Sequence, residues 1–158
     1  PLKRAYQTAS IINRYHQCPI DVHPELMEMD QGDFEGLSFK ELMAREKDFL
    51  RRWMADPASV RMPHGETLSE LQERAWRVVQ RIIEEEENAL VVAHNFTIAA
   101  ILCRLRNIPL SEFRSTCVET ASLSVIRFGD GGAQIDVFND RSHLNSPCPQ
   151  TGGKTDHE

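Results

Sequence analysis

The sequence predicts an α/β fold: a layered α/β sandwich around a mixed sheet. Three observations carry this prediction. Segments with helical apolar spacing alternate with short extended runs, the pattern of a layered α/β domain. Residues 89–93, Ala-Leu-Val-Val-Ala, are continuously apolar, as a strand covered on both faces must be. Two further strand-like runs, Ala121 to Phe128 and Ala133 to Phe138, flank Gly129-Asp130-Gly131-Gly132, which reads as a hairpin turn. The length of 158 residues suits one domain, and a chain of that size buries about 68–70% of its unfolded surface.

The elements follow in order. Leu2, Ala5, Ala9 and Ile12 recur at helical spacing, so residues 2–15 form an amphipathic helix, with Pro1 in the first-turn position that suits proline. Pro19 ends that pattern, and Ile20-Asp21-Val22 is a short strand candidate. From His23 to Gly36 no period is visible and a loop is expected. Ser38 with Glu41 makes a capping box, and a helix is expected from there to about Ala55. Pro57 and Pro63 bracket a loop. Thr67 with Glu70 makes a second capping box, opening a long helix whose apolar face is Leu68, Leu71, Ala75, Val78 and Ile82. Its end is the acidic run Glu84 to Glu87, with Asn88 as C-cap; negative charge there opposes the helix dipole, so the run reads as a solvated surface. Ile98, Ile101, Leu102 and Leu105 mark the face of the next helix. The polar, Pro/Gly-rich tail, residues 145–158, is expected to be disordered, leaving a folded domain over 1–144.

Composition narrows the function. Hydrophobic residues at 41% and charged residues at 27% are ordinary for a globular protein. A net charge of −6 argues against nucleic acid as a partner, which would demand a basic face. An anionic small molecule is still allowed, because a few local cations decide that. Cys18, Cys103, Cys117 and Cys148 are scattered with no C-x-x-C pair, so zinc and thioredoxin-type sites are not expected, and a reducing, cytoplasmic setting is. No apolar run reaches 18 residues, so no membrane span is expected. No heptad or symmetric apolar patch marks an oligomer contact.

Three residues stand out for chemistry. His94 lies where the apolar run 89–93 stops and a helix begins. Ligands of open α/β sheets collect at such strand ends. Asn95 or Thr97 can cap that helix, leaving backbone N–H groups to face an oxyanion. A strand-end histidine can equally be a buried structural residue. Arg4, in a first helical turn, offers a fork that matches phosphate oxygens two at a time; the same position suits a solvated arginine. Glu28 could protonate a leaving oxygen, an effect typically worth about 10²–10⁴-fold. Its loop also holds Glu25, Asp30, Asp33 and Glu35, and pattern alone does not choose among them.

These residues fall in segments that resemble the histidine phosphatase superfamily, the phosphoglycerate mutase-like enzymes. Pro1-Leu2-Lys3-Arg4-Ala5-Tyr6-Gln7-Thr8-Ala9 resembles the family's S-P-L-x-R-A-x-Q-T-A segment. Leu26-Met27-Glu28 with Gly32-Asp33-Phe34-Glu35-Gly36-Leu37 is similar to its L-x-E-x-x-x-G-x-(W/F)-E-G loop. Pro63-His64-Gly65-Glu66-Thr67 resembles P-x-G-E-(S/T), and Val91-Val92-Ala93-His94 resembles V-V-(S/A)-H. The four occur in the family's order across residues 1–94. The resemblance implies a phosphomonoester hydrolase acting on a small phosphorylated metabolite through a phosphohistidine. Arg4 and His94 would bind the phosphate. Glu28 would protonate the leaving group and then help water attack. No metal or other cofactor is implied, because arginine and histidine supply the positive charge, in keeping with phosphoryl transfer as positioning plus charge neutralisation.

The chain departs from the family pattern in two places. The R-H-G segment bearing the nucleophilic histidine is absent. The resemblance implies a three-layer α/β/α sandwich with a mixed, mostly parallel sheet and places this segment, with the sheet's N-terminal strand or strands, before Pro1, so the chain is expected to be an N-terminally truncated fragment, itself inactive. Pro63-His64-Gly65 is no substitute: it follows a proline-bounded loop rather than a buried strand, and Pro63 stands where the arginine belongs. The second departure is Asn95, where the family more often has glycine; a narrower pocket or an altered cap is expected. The short stretch between the Glu28 loop and Pro63 favours a phosphatase, similar to the broad-specificity and α-ribazole phosphate enzymes, over a phosphoglycerate mutase, which carries longer insertions there. A rival of another class is a non-catalytic phosphate-binding domain.

Overall fold

The computed structural model describes residues 2–85, 88–129 and 131–145. They form two compact units, Pro1–Val118 and Glu119–Glu158. The first is helical. Helix α1, Lys3–His16, begins after the extended residue Leu2 and ends at Gln17, whose left-handed backbone (φ 55°) lets its N–H reach the Asn13 carbonyl. The Asn13 side chain then brackets Cys18, donating to its carbonyl and accepting from its N–H, both at 2.8 Å. No residue of α1 is buried.

The single helix expected from Ser38 to Ala55 is two. Helix α2, Phe39–Arg45, and helix α3, Lys47–Ala55, are separated at Glu46, whose φ of −120° and ψ of 42° are not helical. The break lets the two helices face differently. α3 buries Phe49, Leu50 and Trp53, whereas α2 buries nothing. Helix α4, Leu68–Glu84, and helix α5, Asn95–Leu105, complete the unit's α-helices. Both expected capping boxes are present: Ser38 with Glu41 and Thr67 with Glu70 bond reciprocally. Glu70 also takes a 2.5 Å bond from Arg61, and that partner, followed by the Thr67 backbone, holds its carboxyl down at about 2.

The core of this unit joins α3, α4 and α5 with residues such as Trp53, Leu68, Leu71, Ala99 and Phe113, while Ala75, Val79 and Ile101 form a smaller cluster. An aromatic chain runs through it. Phe49 stacks on Trp53, and Trp53 lies 6.2 Å from Phe96, which meets Phe113 edge-on at 5.2 Å. Each such pair adds about 0.5–1.5 kcal/mol beyond area burial. Because Phe96 is the second residue of α5, this chain pins the start of the helix that follows His94.

The expected parallel sheet is not what the described residues form. Their one ladder is the antiparallel pair β1, Leu123–Gly129, and β2, Gly132–Asp140, in the second unit, with Gly129 opposite Gly132 and Ile126 opposite Ile135. This is the hairpin expected at 121–138; Asp130 of its turn lies outside the described residues. Residues 20–22 and 89–93 carry no ladder. Leu90 is 58% exposed, where a strand buried on both faces was expected. The reason is physical: an extended segment becomes a strand only when a neighbour supplies the partners for its N–H and C=O groups, and no described segment does so. The α/β class stands; the three-layer, mostly parallel arrangement is not what these residues build.

The second unit is braced by Arg127 bonding Asp136 across the strands at 2.5 Å and by Asp140 capping a 3₁₀ turn, Ser142–Asn145. The expected disorder of the tail falls on residues 146–158, outside the described residues apart from Asn145. The acidic run's Glu86 and Glu87 lie outside them too, and α4 closes at Glu85. Among the described residues no helix is long and apolar enough to cross a membrane.

Candidate active site

Helix α5 has the N-cap His94, extended at φ −126° and ψ 165°, with no side-chain cap of its own. The N–H groups of its first turn therefore need partners from elsewhere. Glu28 supplies them. Its Oε2 accepts from the Phe96 N–H and its Oε1 from the Thr97 N–H, each at 3.3 Å. Oε1 also accepts from the Met29 N–H at 2.9 Å. A carboxylate at a helix N-terminus is favoured by both the free donors and the dipole.

The local caps expected from sequence are used otherwise. The Thr97 hydroxyl, fully buried, donates to the Met27 carbonyl at 2.8 Å and lies 3.3 Å from Glu28 Oε1. The Asn95 amide oxygen accepts from the Val118 N–H at 3.0 Å. The residue that departs from the family pattern thus ties the start of α5 to the last residue of the helical unit.

His94 is only 7% exposed. Burial pushes its imidazole below its ordinary value of 6.5; the Glu28 carboxylate opposes that shift, and Arg4 and Arg74 reinforce it. Arg4 stands in the first turn of α1, and among the described residues its guanidinium makes no side-chain hydrogen bond or ion pair. It lines an open cleft of about 660 Å³ together with Glu28, Asp30, Gln31, Glu35 and Arg74. Arg4 and Glu28 therefore share one cleft. His94 does not line it; it is buried at the start of α5 within the electrostatic reach of both. An entering anion meets one uncommitted guanidinium and a helix N-terminus already occupied by Glu28.

The loop that carries Glu28 is held from two sides. Against the Pro63–Glu66 turn, the Asp33 N–H donates to the Pro63 carbonyl at 2.9 Å and the Glu66 N–H to the Asp30 carbonyl at 3.1 Å. The fit requires glycine at two places. A Cβ on Gly32, whose φ is +55°, would fall 1.9 Å from the Pro63 oxygen, and one on Gly65 2.4 Å from the Asp30 oxygen. His64 pairs with Asp33 at 2.8 Å with its side chain 85% exposed, and it does not line the cleft.

From the other side comes Arg74 of α4. Its Nε and Nη2 grip the Glu66 carboxylate at 3.0 and 2.6 Å. Nη1 donates to the Glu25 and Met27 carbonyls, and Nη2 to that of Glu28. The sequence reading missed Arg74. The available signal was its place at the border of the α4 apolar face, beside Ala75. Among the described residues no group of three or more His, Cys, Asp or Glu side chains is placed to hold a metal ion.

Comparison with known proteins gives a consistent set of matches. The model of the histidine phosphatase superfamily (branch 1) matches residues 1–141. Phosphoserine phosphatase 1 of Hydrogenobacter thermophilus is 30% identical over 146 residues, 91% of this chain and 69% of that protein. Among solved structures, Bacillus stearothermophilus YhfR superposes with a TM-score of 0.83 at 26% identity, covering 90% of this chain and 72% of that one. The alpha-ribazole phosphatase of Shigella flexneri superposes with a TM-score of 0.77 at 27% identity, covering 88% and 70%.

Proposed function

The chain belongs to the histidine phosphatase superfamily, and we propose that it serves a phosphomonoester hydrolase that acts on a small phosphorylated metabolite through a phosphohistidine intermediate. The observation that carries this reading is the shared cleft of Arg4 and Glu28 beside the helix start at His94. The phosphatase names of the relatives favour hydrolysis over mutase-type transfer.

In this reading the substrate phosphate takes the Arg4 fork and the N-terminus of α5, sharing its charge with His94. To reach those N–H groups it displaces the Glu28 carboxylate. The Glu28 carboxyl, carrying the proton that it takes from water in the closing step of each turnover, then turns to the leaving oxygen. A histidine nitrogen attacks phosphorus, the bond to the leaving oxygen breaks, and Glu28 gives that oxygen its proton. The resulting carboxylate takes a proton from water as the water attacks the phosphohistidine, releasing phosphate and restoring the histidine. The nucleophile belongs to an Arg-His-Gly segment outside residues 1–158. The apolar run 89–93, exposed at its first three residues and unpaired among the described residues, fits a sheet edge open to a further strand.

The test is hydrolysis of p-nitrophenyl phosphate by the full-length protein in the presence of EDTA. Free phosphate is expected, with near-complete loss of activity in His94→Ala. Full activity in that variant overturns the assignment. Exchange of phosphate between phosphoglycerate isomers without phosphate release selects the mutase reading.

A further inference from the structure

We propose that Arg74 is the positioning residue for Glu28, aiming its carboxyl at the leaving group while touching no substrate itself. This rests on the proton-donor reading of Glu28 above.

The case begins with donor counting. A guanidinium has five N–H groups, and Arg74 makes five hydrogen bonds. Two go to the Glu66 carboxylate at 3.0 and 2.6 Å. Three go to the carbonyls of Glu25, Met27 and Glu28 at 2.5, 2.8 and 3.0 Å. No donor is left for a phosphate, although the residue lines the cleft. Arg4 differs in that respect: its fork is uncommitted among the described residues.

The acceptors are concentrated on one segment. Glu66, itself held by Arg74, accepts the Asp30 N–H at 2.9 Å. The Arg74–Glu66 pair therefore fixes backbone groups at 25, 27, 28 and 30, on both sides of the Glu28 Cα. Both partners are largely buried, with side chains 18% and 15% exposed. With the backbone fixed, the Glu28 side chain swings from a defined Cα position between its resting donors, the Met29, Phe96 and Thr97 N–H groups, and the cleft that both Glu28 and Arg4 line. Loosening that backbone lets the carboxyl swing off the reaction axis, where a shift of about 1 Å can cost about a hundredfold in rate. Lysine cannot replace the fork, since it has three donors on one nitrogen and no plane.

The experiment uses the full-length protein and two substrates: p-nitrophenyl phosphate, whose leaving group needs no proton, and an alkyl phosphate, whose leaving group does. Glu28→Gln, Arg74→Lys, Glu66→Gln and the Glu28→Gln/Arg74→Lys double variant are compared by kcat and KM, with folding checked by thermal melting. Arg74→Lys and Glu66→Gln are expected to cut kcat on the alkyl ester about tenfold to a hundredfold, in keeping with misaimed groups. On p-nitrophenyl phosphate kcat/KM, which reports phosphoryl transfer to histidine and not the water step that both esters share, should stay within about threefold of the parent, with no rise in KM. The double variant should lose no more than Glu28→Gln alone. If Arg74→Lys does not fold, Glu66→Gln, which keeps size and shape, decides by the same criterion.

Equal losses of kcat/KM on both esters, additive losses in the double variant, or a KM rise on both substrates overturns the positioning role; the last outcome means that Arg74 binds phosphate directly. If Glu28→Gln itself shows no preference between the esters, the acid role of Glu28 fails, and the positioning role with it. A selective Glu28→Gln beside an unselective Arg74→Lys overturns the Arg74 inference alone.

Discussion

Glu28 and Thr97 stand 69 positions apart and meet at the start of α5, where the Thr97 N–H donates to the Glu28 carboxylate at 3.3 Å. A distant loop thus supplies the cap that the helix's own residues do not. The carboxylate faces free donors and the positive end of the dipole, each worth a fraction of a kcal/mol to about 2 kcal/mol in a partly buried setting. The same contact places an acid beside a buried imidazole and an open cleft. Stability and chemistry therefore draw on one side chain.

The Thr97 hydroxyl closes this contact from below. Thr97→Val keeps the shape and removes a buried donor to the Met27 carbonyl. Arg74 still satisfies that carbonyl, so the expected loss is about 1 kcal/mol, the size of one ordinary hydrogen bond. Urea denaturation measures it. An unchanged midpoint means that the hydroxyl holds nothing.

Arg4 is exposed in the first turn of α1, so replacing it should leave stability within about 0.5 kcal/mol. Function should respond differently. Arg4→Ala is expected to weaken inhibition by inorganic phosphate at least tenfold, about 1.4 kcal/mol. Arg4→Lys should recover only part of that, because a point charge does not reproduce the fork. Full recovery by lysine would show that charge alone is read there.

His94 predicts a pH dependence of stability. Its folded value lies below 6.5, chiefly through burial. As the pH falls, the unfolded chain takes up the proton first. The stability that the neutral imidazole contributes is therefore present above pH 6.5 and is lost as the pH drops through the lowered folded value. Denaturation midpoints should decline over that acidic window in the parent and decline less in His94→Gln. Parallel declines in both would assign the effect to other groups.

The two loops beneath the cleft predict a contrast between glycines. Gly32 and Gly36 both have positive φ, +55° and +77°. A methyl at Gly36 meets nothing within 4 Å, whereas one at Gly32 strikes the Pro63 carbonyl. Gly36→Ala should cost about 1–2 kcal/mol from left-handed backbone strain alone. Gly32→Ala should cost clearly more, because the Asp30–Asp33 and Pro63–Glu66 turns must part. Thermal melts that rank the two variants equally would remove close approach as the reason for Gly32.

The local rules of the chain were legible from its residues. Ser38, Glu41, Thr67 and Glu70 announced two helix starts because a capping box is written within four consecutive positions. The apolar faces of α4 and α5 and the hairpin at 121–138 were readable for the same reason: period and turn chemistry are short-range. Glu46 was not readable as a break. It is an ordinary helix-tolerant residue, and burial of Phe49, Leu50 and Trp53 decides where α3 points. The run 89–93 has a strand's composition, but a ladder is a property of two segments, and among the described residues no segment pairs with it.

Sequence by itself determined the family, the periodic helices and the three residue types suited to a phosphate, because motifs and amphipathic spacing are properties of neighbours along the chain. Tertiary structure alone decided that Glu28, among the five acids of its loop, reaches the α5 N-terminus. It also decided that Arg74 spends all five donors on holding Glu66 and the Glu28 loop. Both depend on which distant donors and acceptors folding brings within 3 Å or so of one another, and no local pattern encodes that distance.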